Sequence, residues 1–450
     1  MLFSSLEFLF LFLPLSIAGY FCLPMKFRNF WLLLSGICFY AFGEPKYLPV
    51  MLLVIITDFV FGLVISAAGS KPKLSRVLLV TAVICNVGIL AYFKFFASEL
   101  PIGISFYSFQ ALSYVIDVYR KNVSVCRNPI NFGAYVSLYP QLVAGPIVRY
   151  SDVDVALKNR KHSVSAVADG LRTFVAGLSK KVLLANTAGE MWSSFSGRDG
   201  FVDACAGIFF FAAQIYFDFS GYSDMALGLG RVFGFDFPQN FNYPYVSKSI
   251  TDFWRRWHIT LSSFFREYVY IPLGGNRKGR ARTFINLFIT WMLTGIWHGA
   301  SPNFLLWGVY FAFILILEKA FLLRLLSKLP TILRRLYSLL LVAIGWVIFA
   351  SDGESLTLAE GGAYILRLFG IGCGSFCPPL TQYELLRNLV FVAILAFGAT
   401  GLPKRVYRKL CTRAPVAGNV LNVILPIAFF ILSVAYIVNS GYNPFLYFRF

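Results

Sequence analysis

Three histidines occur in the chain, and two of them stand in polar motifs within otherwise apolar stretches. His298 follows a charge-free run, residues 284–297, in which Asn286, Thr290 and Thr294 lead up to it at every fourth position. On a helix that spacing makes one slowly drifting polar stripe. Such stripes usually hold membrane helices together by hydrogen bonds. An imidazole at the end of one, with Trp297 before it and Gly299, Ala300, Ser301 and Pro302 after it, is costly at membrane depth and marks a pathway or a reaction site. The chemistry open to an imidazole there is proton transfer near neutral pH.

The second histidine, His258, falls within residues 252–269, which read as one amphipathic helix. Trp254, Trp257, Leu261, Phe264, Phe265 and Tyr268 share a face, opposite Asp252, Arg255, Arg256, Ser262, Ser263, Arg266 and Glu267. A helix of this kind lies at the cytoplasmic membrane interface. His258 sits at the edge of the aromatic stripe, where a hydrogen-bonded structural histidine is the competing reading. The third, His162, lies among Lys158, Arg160 and Lys161 in a polar loop and reads as solvated.

Downstream, Gly274, Gly275 and Asn276 make a turn, and Arg277, Lys278, Arg280 and Arg282 follow as the densest basic cluster. Basic turns beside membrane helices bind lipid headgroups, and a polyphosphate acyl donor would use the same charges. Asp218 and Asp224 interrupt the apolar run 214–226. A structural network with nearby hydroxyls or arginines such as Arg231 fits them better than acid–base work. No zinc-binding, nucleotide-binding or serine-hydrolase signature is present, so no metal and no bound cofactor is expected.

The elements that must position these residues are membrane helices. Of 450 residues 58% are hydrophobic and 14% charged, with a mean hydropathy of +0.69. That is too little polar surface for a water-exposed shell. A disordered scaffold, a secreted disulfide module and a nucleic-acid binder are excluded. The net charge of +19 therefore reads as positive-inside topology and contact with anionic lipid. The eight cysteines are scattered, and Cys373 and Cys377 alone are close enough in sequence for a local disulfide. The fold class is an all-α polytopic membrane protein with about eleven membrane helices. Basic gaps at 24–30, 69–76, 120–129, 319–335 and 404–413 face the cytoplasm, and Asp352, Glu354 and Glu360 face outward. Residues 131–200 carry short apolar pieces broken by Pro140, Gly145, Pro146 and the pair Lys180 and Lys181, which suits re-entrant or interfacial helices. One membrane domain, 1–450, is expected, with N-terminal helices 1–129, a core 130–310 carrying the motifs, and C-terminal helices 311–450.

The run 101–120, the run 214–226, Phe-Trp-Arg-Arg-Trp-His at 253–258, Tyr-Ile-Pro-Leu-Gly-Gly-Asn-Arg at 270–277 and Trp-His-Gly-Ala at 297–300 together resemble the membrane-bound O-acyltransferases. The likeness is to the bacterial branch that O-acetylates alginate and peptidoglycan, and it extends to the C-terminal segment 443–450. Ile296 departs from the leucine commoner there, and Phe264 and Phe265 stand where a tryptophan is usual. The resemblance implies a funnel-shaped fold in a bacterial inner membrane. It implies acetyl taken from cytoplasmic acetyl-CoA and passed across the membrane, and a partner acetyltransferase of the SGNH type that esterifies a polysaccharide. It also implies His298 as the essential histidine and His258 as the second. From the residues themselves, Arg255, Arg256, Arg277 and Lys278 are candidate phosphate contacts. Trp254, Asn276 and Trp297 are candidate donor-binding residues, with Asp218, Asp224 and Asp252 as a supporting network. The alternatives are D-alanyl transfer from a carrier protein, a polysaccharide-precursor transporter, and a scaffold.

Overall fold

The computed structural model describes residues 2–440 apart from Ser98 and Glu354, and among the described residues it is helical, with no strand. The outward acid at Glu354 and the motif at 443–450 lie outside the described residues. Among the described residues five helices are long and apolar enough to cross a membrane: Pro45–Ser70, Pro72–Phe95, Phe201–Val232, Thr331–Ala350 and Pro415–Asn439. The pair Pro379–Arg387 and Leu389–Gly398 makes a sixth if its 64° bend is taken within one span. The chain is thus a multi-pass membrane protein. Other apolar runs form helices that fall short individually. Ile104–Tyr119 has 16 residues, about 24 Å against a hydrocarbon core of about 30 Å, whereas Pro302–Leu317 runs on through a wide turn, Glu318–Leu322, into Leu323–Ser327. Gly279–His298 spends its first turn on Arg280 and Arg282.

The helices gather into two compact units, Met1–Leu178 with Tyr222–Gln239, and Ser179–Gly221 with Asn240–Phe450. In the first, Ile104–Tyr119 is almost wholly buried against Pro45–Ser70 and its neighbours. Gly170 and Gly228 each occupy a place where a Cβ would strike the other's backbone, so their helices cross in backbone contact.

In the second unit, Gly279–His298 turns back through residues 299–301 into Pro302–Leu317. Gly295 and Gly308 leave no room for a Cβ between these two helices, the small-residue packing that membrane helices use to approach closely. Thr331–Ala350 packs on Pro302–Leu317.

Two local expectations change. The basic pair at 180 and 181 does not break the helix. Val164–Ser179 continues through a wide turn, Lys180–Ala185, into Asn186–Phe195. Lys181 can sit there because its Nζ is 2.9 Å from the Asp218 carboxylate, which neutralises a charge that would otherwise be prohibitive in an apolar helix. The stretch 252–269 is not one helix either. It divides into Ile250–Trp254, Ile259–Phe265 and a wide turn Arg266–Tyr270, with the break at His258. No cysteine is bridged.

Candidate functional site

Thr290 and Thr294 donate their hydroxyls to the carbonyls of Asn286 and Thr290, at 2.7 and 2.8 Å. The two threonines are therefore satisfied within their own helix, not as glue to another. Asn286 ties the base of the helix to the glycine turn by donating to the Gly275 carbonyl at 2.9 Å. At the far end His298 is 4% exposed. Its ring is walled by Trp297, Trp307 and Phe349, with centroids at 4.9, 5.0 and 5.3 Å. Asn303 fixes that wall by donating to the Phe349 carbonyl at 3.0 Å.

His258 is held differently. It has φ +43° and ψ +56°, in the left-handed region, which costs a non-glycine residue about 1–3 kcal/mol and persists only where surroundings over-determine it. Asn240 supplies that constraint. Its carbonyl accepts from the Ile259 N–H at 3.0 Å, and its Oδ1 lies 2.9 Å from Thr260 Oγ1 and 3.0 Å from His258 Nδ1. An amide oxygen can only accept, so Nδ1 carries the imidazole proton and Nε2 keeps the lone pair. The ring is 1% exposed and meets Phe219 edge-on at 4.7 Å and Trp297 at 6.2 Å. Burial pushes its pKa down to about 3, so it stays neutral.

Both imidazoles line one cavity of about 290 Å³, along the stripe of Thr290 and Thr294. Trp254, Arg255, Ser262, Arg266, Tyr270 and Lys319 also line a second, wider hollow of about 870 Å³, so the two adjoin. Arg277, Lys278 and Asn276 complete the hollow's wall, and no carboxylate lines it. The arrangement is a cationic mouth leading to an apolar chamber with two histidines. Phosphates suit the first; a reaction that water would spoil suits the second.

Not every expected residue reaches it. Trp254, Arg255, Asn276, Arg277 and Lys278 line the mouth, and Trp297 packs on both histidines. Arg256 does not line it, because its Nε is bound to Asp252 at 2.8 Å. Asp252 also accepts from the Lys248 N–H at 3.1 Å. Asp218 is paired with Lys181, not with an arginine, one residue before the Phe219 ring that abuts His258. Asp224 is half-buried and lines neither hollow. His162 is not solvated: it is half-buried, with Nε2 3.1 Å from the Tyr20 hydroxyl.

Arg266, Lys319, Asn240 and Glu318 are site residues that the sequence reading passed over. Glu318 receives the Ile250 and Thr251 N–H groups at 2.7 and 2.8 Å, an anion at a helix start that fixes the short helix carrying Trp254. A lone acid between apolar helices was the signal available for it.

Residues 92–351 match the MBOAT, membrane-bound O-acyltransferase, family. The chain is similar to the "Probable alginate O-acetylase AlgI" of Pseudomonas putida, 36% identical with 100% of each chain covered. It is 40% identical to the protein of the same description from Pseudomonas aeruginosa, over 93% of this chain and 84% of that one. The "Peptidoglycan O-acetyltransferase" of Helicobacter pylori is 34% identical over 78% of this chain and 77% of its own.

Proposed function

Because this chain belongs to the membrane-bound O-acyltransferase family, we propose that it takes acetyl from cytoplasmic acetyl-CoA and passes it across the membrane for O-acetylation of an extracytoplasmic polysaccharide. The observation that carries the reading is the pair of buried imidazoles on one apolar chamber behind a carboxylate-free cationic mouth. The names of the relatives support an acetyl group and a polysaccharide acceptor. The host is the bacterial inner membrane, with about eleven membrane helices once the shorter apolar ones are counted. A partner acetyltransferase of the SGNH type completes the transfer to sugar.

Arg255, Arg266, Arg277, Lys278 and Lys319 hold the donor's phosphates at the mouth, and its thioester arm lies along Thr290 and Thr294. His298 accepts the proton of the incoming hydroxyl as its oxygen attacks the thioester carbonyl. The C–S bond breaks, and the imidazolium returns that proton to the leaving thiolate. Trp297, Trp307 and Phe349 keep water away from the thioester. His258, neutral and fixed by Asn240, directs its Nε2 lone pair and ring edge to positioning the acyl group.

Inside-out vesicles carrying the protein and its native neighbours, given labelled acetyl-CoA, test this. Alkali-labile label in the lumen with wild type and none with His298→Ala is the expected result. Equal label in both chains overturns it in favour of a scaffold. Label from a D-alanyl carrier-protein thioester alone transfers the reading to D-alanylation.

A further inference from the structure

The first unit contains a second basic hollow, of about 480 Å³, that acyl transfer does not use. Lys26, Asn29, Asn131, Lys158 and Arg160 line it together with Met25, Ala156 and Leu157. It forms where two basic segments distant in sequence, around 24–30 and 158–162, come together. The Lys/Arg bias puts 24–30 on the cytoplasmic side, and the hollow therefore opens there.

Arg160 is only 5% exposed. Its Nε donates to the Tyr20 hydroxyl at 3.0 Å, and one terminal nitrogen reaches the Ala156 carbonyl at 3.4 Å. The guanidinium stacks on Phe235 at 4.6 Å. Gly234 permits this, since a Cβ there would press on His162 and on the Arg160 side chain. The Tyr20 hydroxyl spends its proton on the Phe233 carbonyl at 2.9 Å, so it gives Arg160 no negative charge. Among the described residues no carboxylate lies within ion-pair distance of Arg160, Arg28 or Lys26, while Lys158 has Asp154 at 2.7 Å. A buried guanidinium keeps an uncompensated desolvation cost unless an anion meets it, and its fork suits phosphate.

Asn29 adds a second requirement. Its Nδ2 donates to Asn131 Oδ1 and to the Leu157 carbonyl, both at 2.8 Å, and its own Oδ1 is buried with no donor among the described residues. A ligand suited to this hollow therefore accepts from cations and also donates. Met25, Phe27 and Phe30 present exposed apolar surface from the same segment.

We propose that this hollow binds a phosphate-bearing anion with a hydroxyl or amine next to the phosphate, the chemistry of a glycerophospholipid headgroup. The lysines draw it in, Arg160 takes a phosphate oxygen and Asn29 Oδ1 takes the hydroxyl.

The full chain, purified and delipidated in detergent, is titrated with dioleoyl-phosphatidylglycerol, dioleoyl-phosphatidylcholine, glycerol 3-phosphate or inorganic phosphate. The readout is thermal stabilisation with bound mass by native mass spectrometry. An Arg277→Gln/Lys278→Gln background weakens anion binding at the other basic mouth, so that what remains is compared at the Lys26 hollow. Phosphatidylglycerol should bind and phosphatidylcholine should not, and Lys26→Gln/Asn29→Ala should weaken phosphatidylglycerol about tenfold. Arg160→Met, if it folds, should abolish binding; the Lys26 and Asn29 pair tests the site at its rim in any case. Glycerol 3-phosphate binding with the same residue dependence supports the site and assigns it to a soluble phosphate. Unchanged phosphatidylglycerol affinity in the Lys26/Asn29 variant, or equal binding of phosphatidylcholine, overturns the proposal.

Discussion

The two basic hollows differ in what stands behind their charges. At the mouth lined by Arg255, Arg266, Arg277, Lys278 and Lys319, the cations lead to two buried imidazoles among tryptophans and phenylalanines. Behind Arg160 stand Tyr20 and Phe235, and His162 there is engaged by the Tyr20 hydroxyl between two arginines. Both arrangements gather anions. The first sets two imidazoles along an apolar chamber, the setting the proposed acyl transfer needs if water is to be kept from the thioester, whereas His162 in the second is engaged by a tyrosine hydroxyl. On the two proposals, positive charge confers binding in either place, and reactivity depends on what the charge delivers the ligand to.

The hardest test of that contrast is His298→Ala. Loss of a general base costs about 10²–10⁴-fold, so acetyl transfer should fall about a thousandfold. The helix should persist, because Thr290 and Thr294 are bonded within it. Circular dichroism and a transfer assay on the same sample check both halves, and transfer within tenfold of wild type would remove His298 from the chemistry. Next in size is Asn240→Ala, which releases the left-handed break at His258. Transfer should drop about 10–100-fold in kcat with donor KM little changed, the signature of a positioning residue. Asn240→Asp, which keeps an accepting oxygen, should recover part of the loss.

How far the sequence could anticipate these residues depends on whether the determining contact was local. The stripe from Asn286 to His298 is a spacing along one helix, and it stands as read. The turn at Gly274 and Gly275 and the cations after it were also visible, since Arg277 and Lys278 follow that turn directly in sequence and line the mouth beside it. The break at His258 was not visible. Residues 252–269 have good helical periodicity, and what interrupts them is Asn240, eighteen positions upstream in a loop with no periodicity to mark it. Arg256 looked equivalent to Arg255 on the polar face, but Asp252 four residues earlier takes it away from the mouth. Lys181 resembled a helix breaker because its neutralising partner, Asp218, is remote in sequence.

A smaller effect separates the two hollows by their ligands. Arg277→Gln/Lys278→Gln should raise donor KM about tenfold with kcat nearly unchanged, as expected when charge-assisted contacts made equally in ground and transition states are removed. Lys26→Gln/Asn29→Ala should leave donor KM where it was. Steady-state transfer at varied acetyl-CoA decides it, and a KM shift from the Lys26 variant would make the two hollows one functional surface.

The smallest effect concerns protons at His258. Its folded pKa lies near 3 against about 6.5 in an unfolded chain. Between those values the unfolded chain binds a proton that the folded chain refuses, so stability falls as pH drops through about 6.5 and recovers as pH rises. By pH 5.5 the loss amounts to about 1.4 kcal/mol. Unfolding of wild type and His258→Asn, compared at pH 7.5 and 5.5, should show wild type losing more by about that amount. His162, whose pKa is also lowered by burial and by Arg28 and Arg160, contributes in the same direction but is present in both chains and cancels. An equal loss in both chains would mean that protons reach the His258 ring, and an apolar wall would then no longer distinguish the reactive hollow from the binding one.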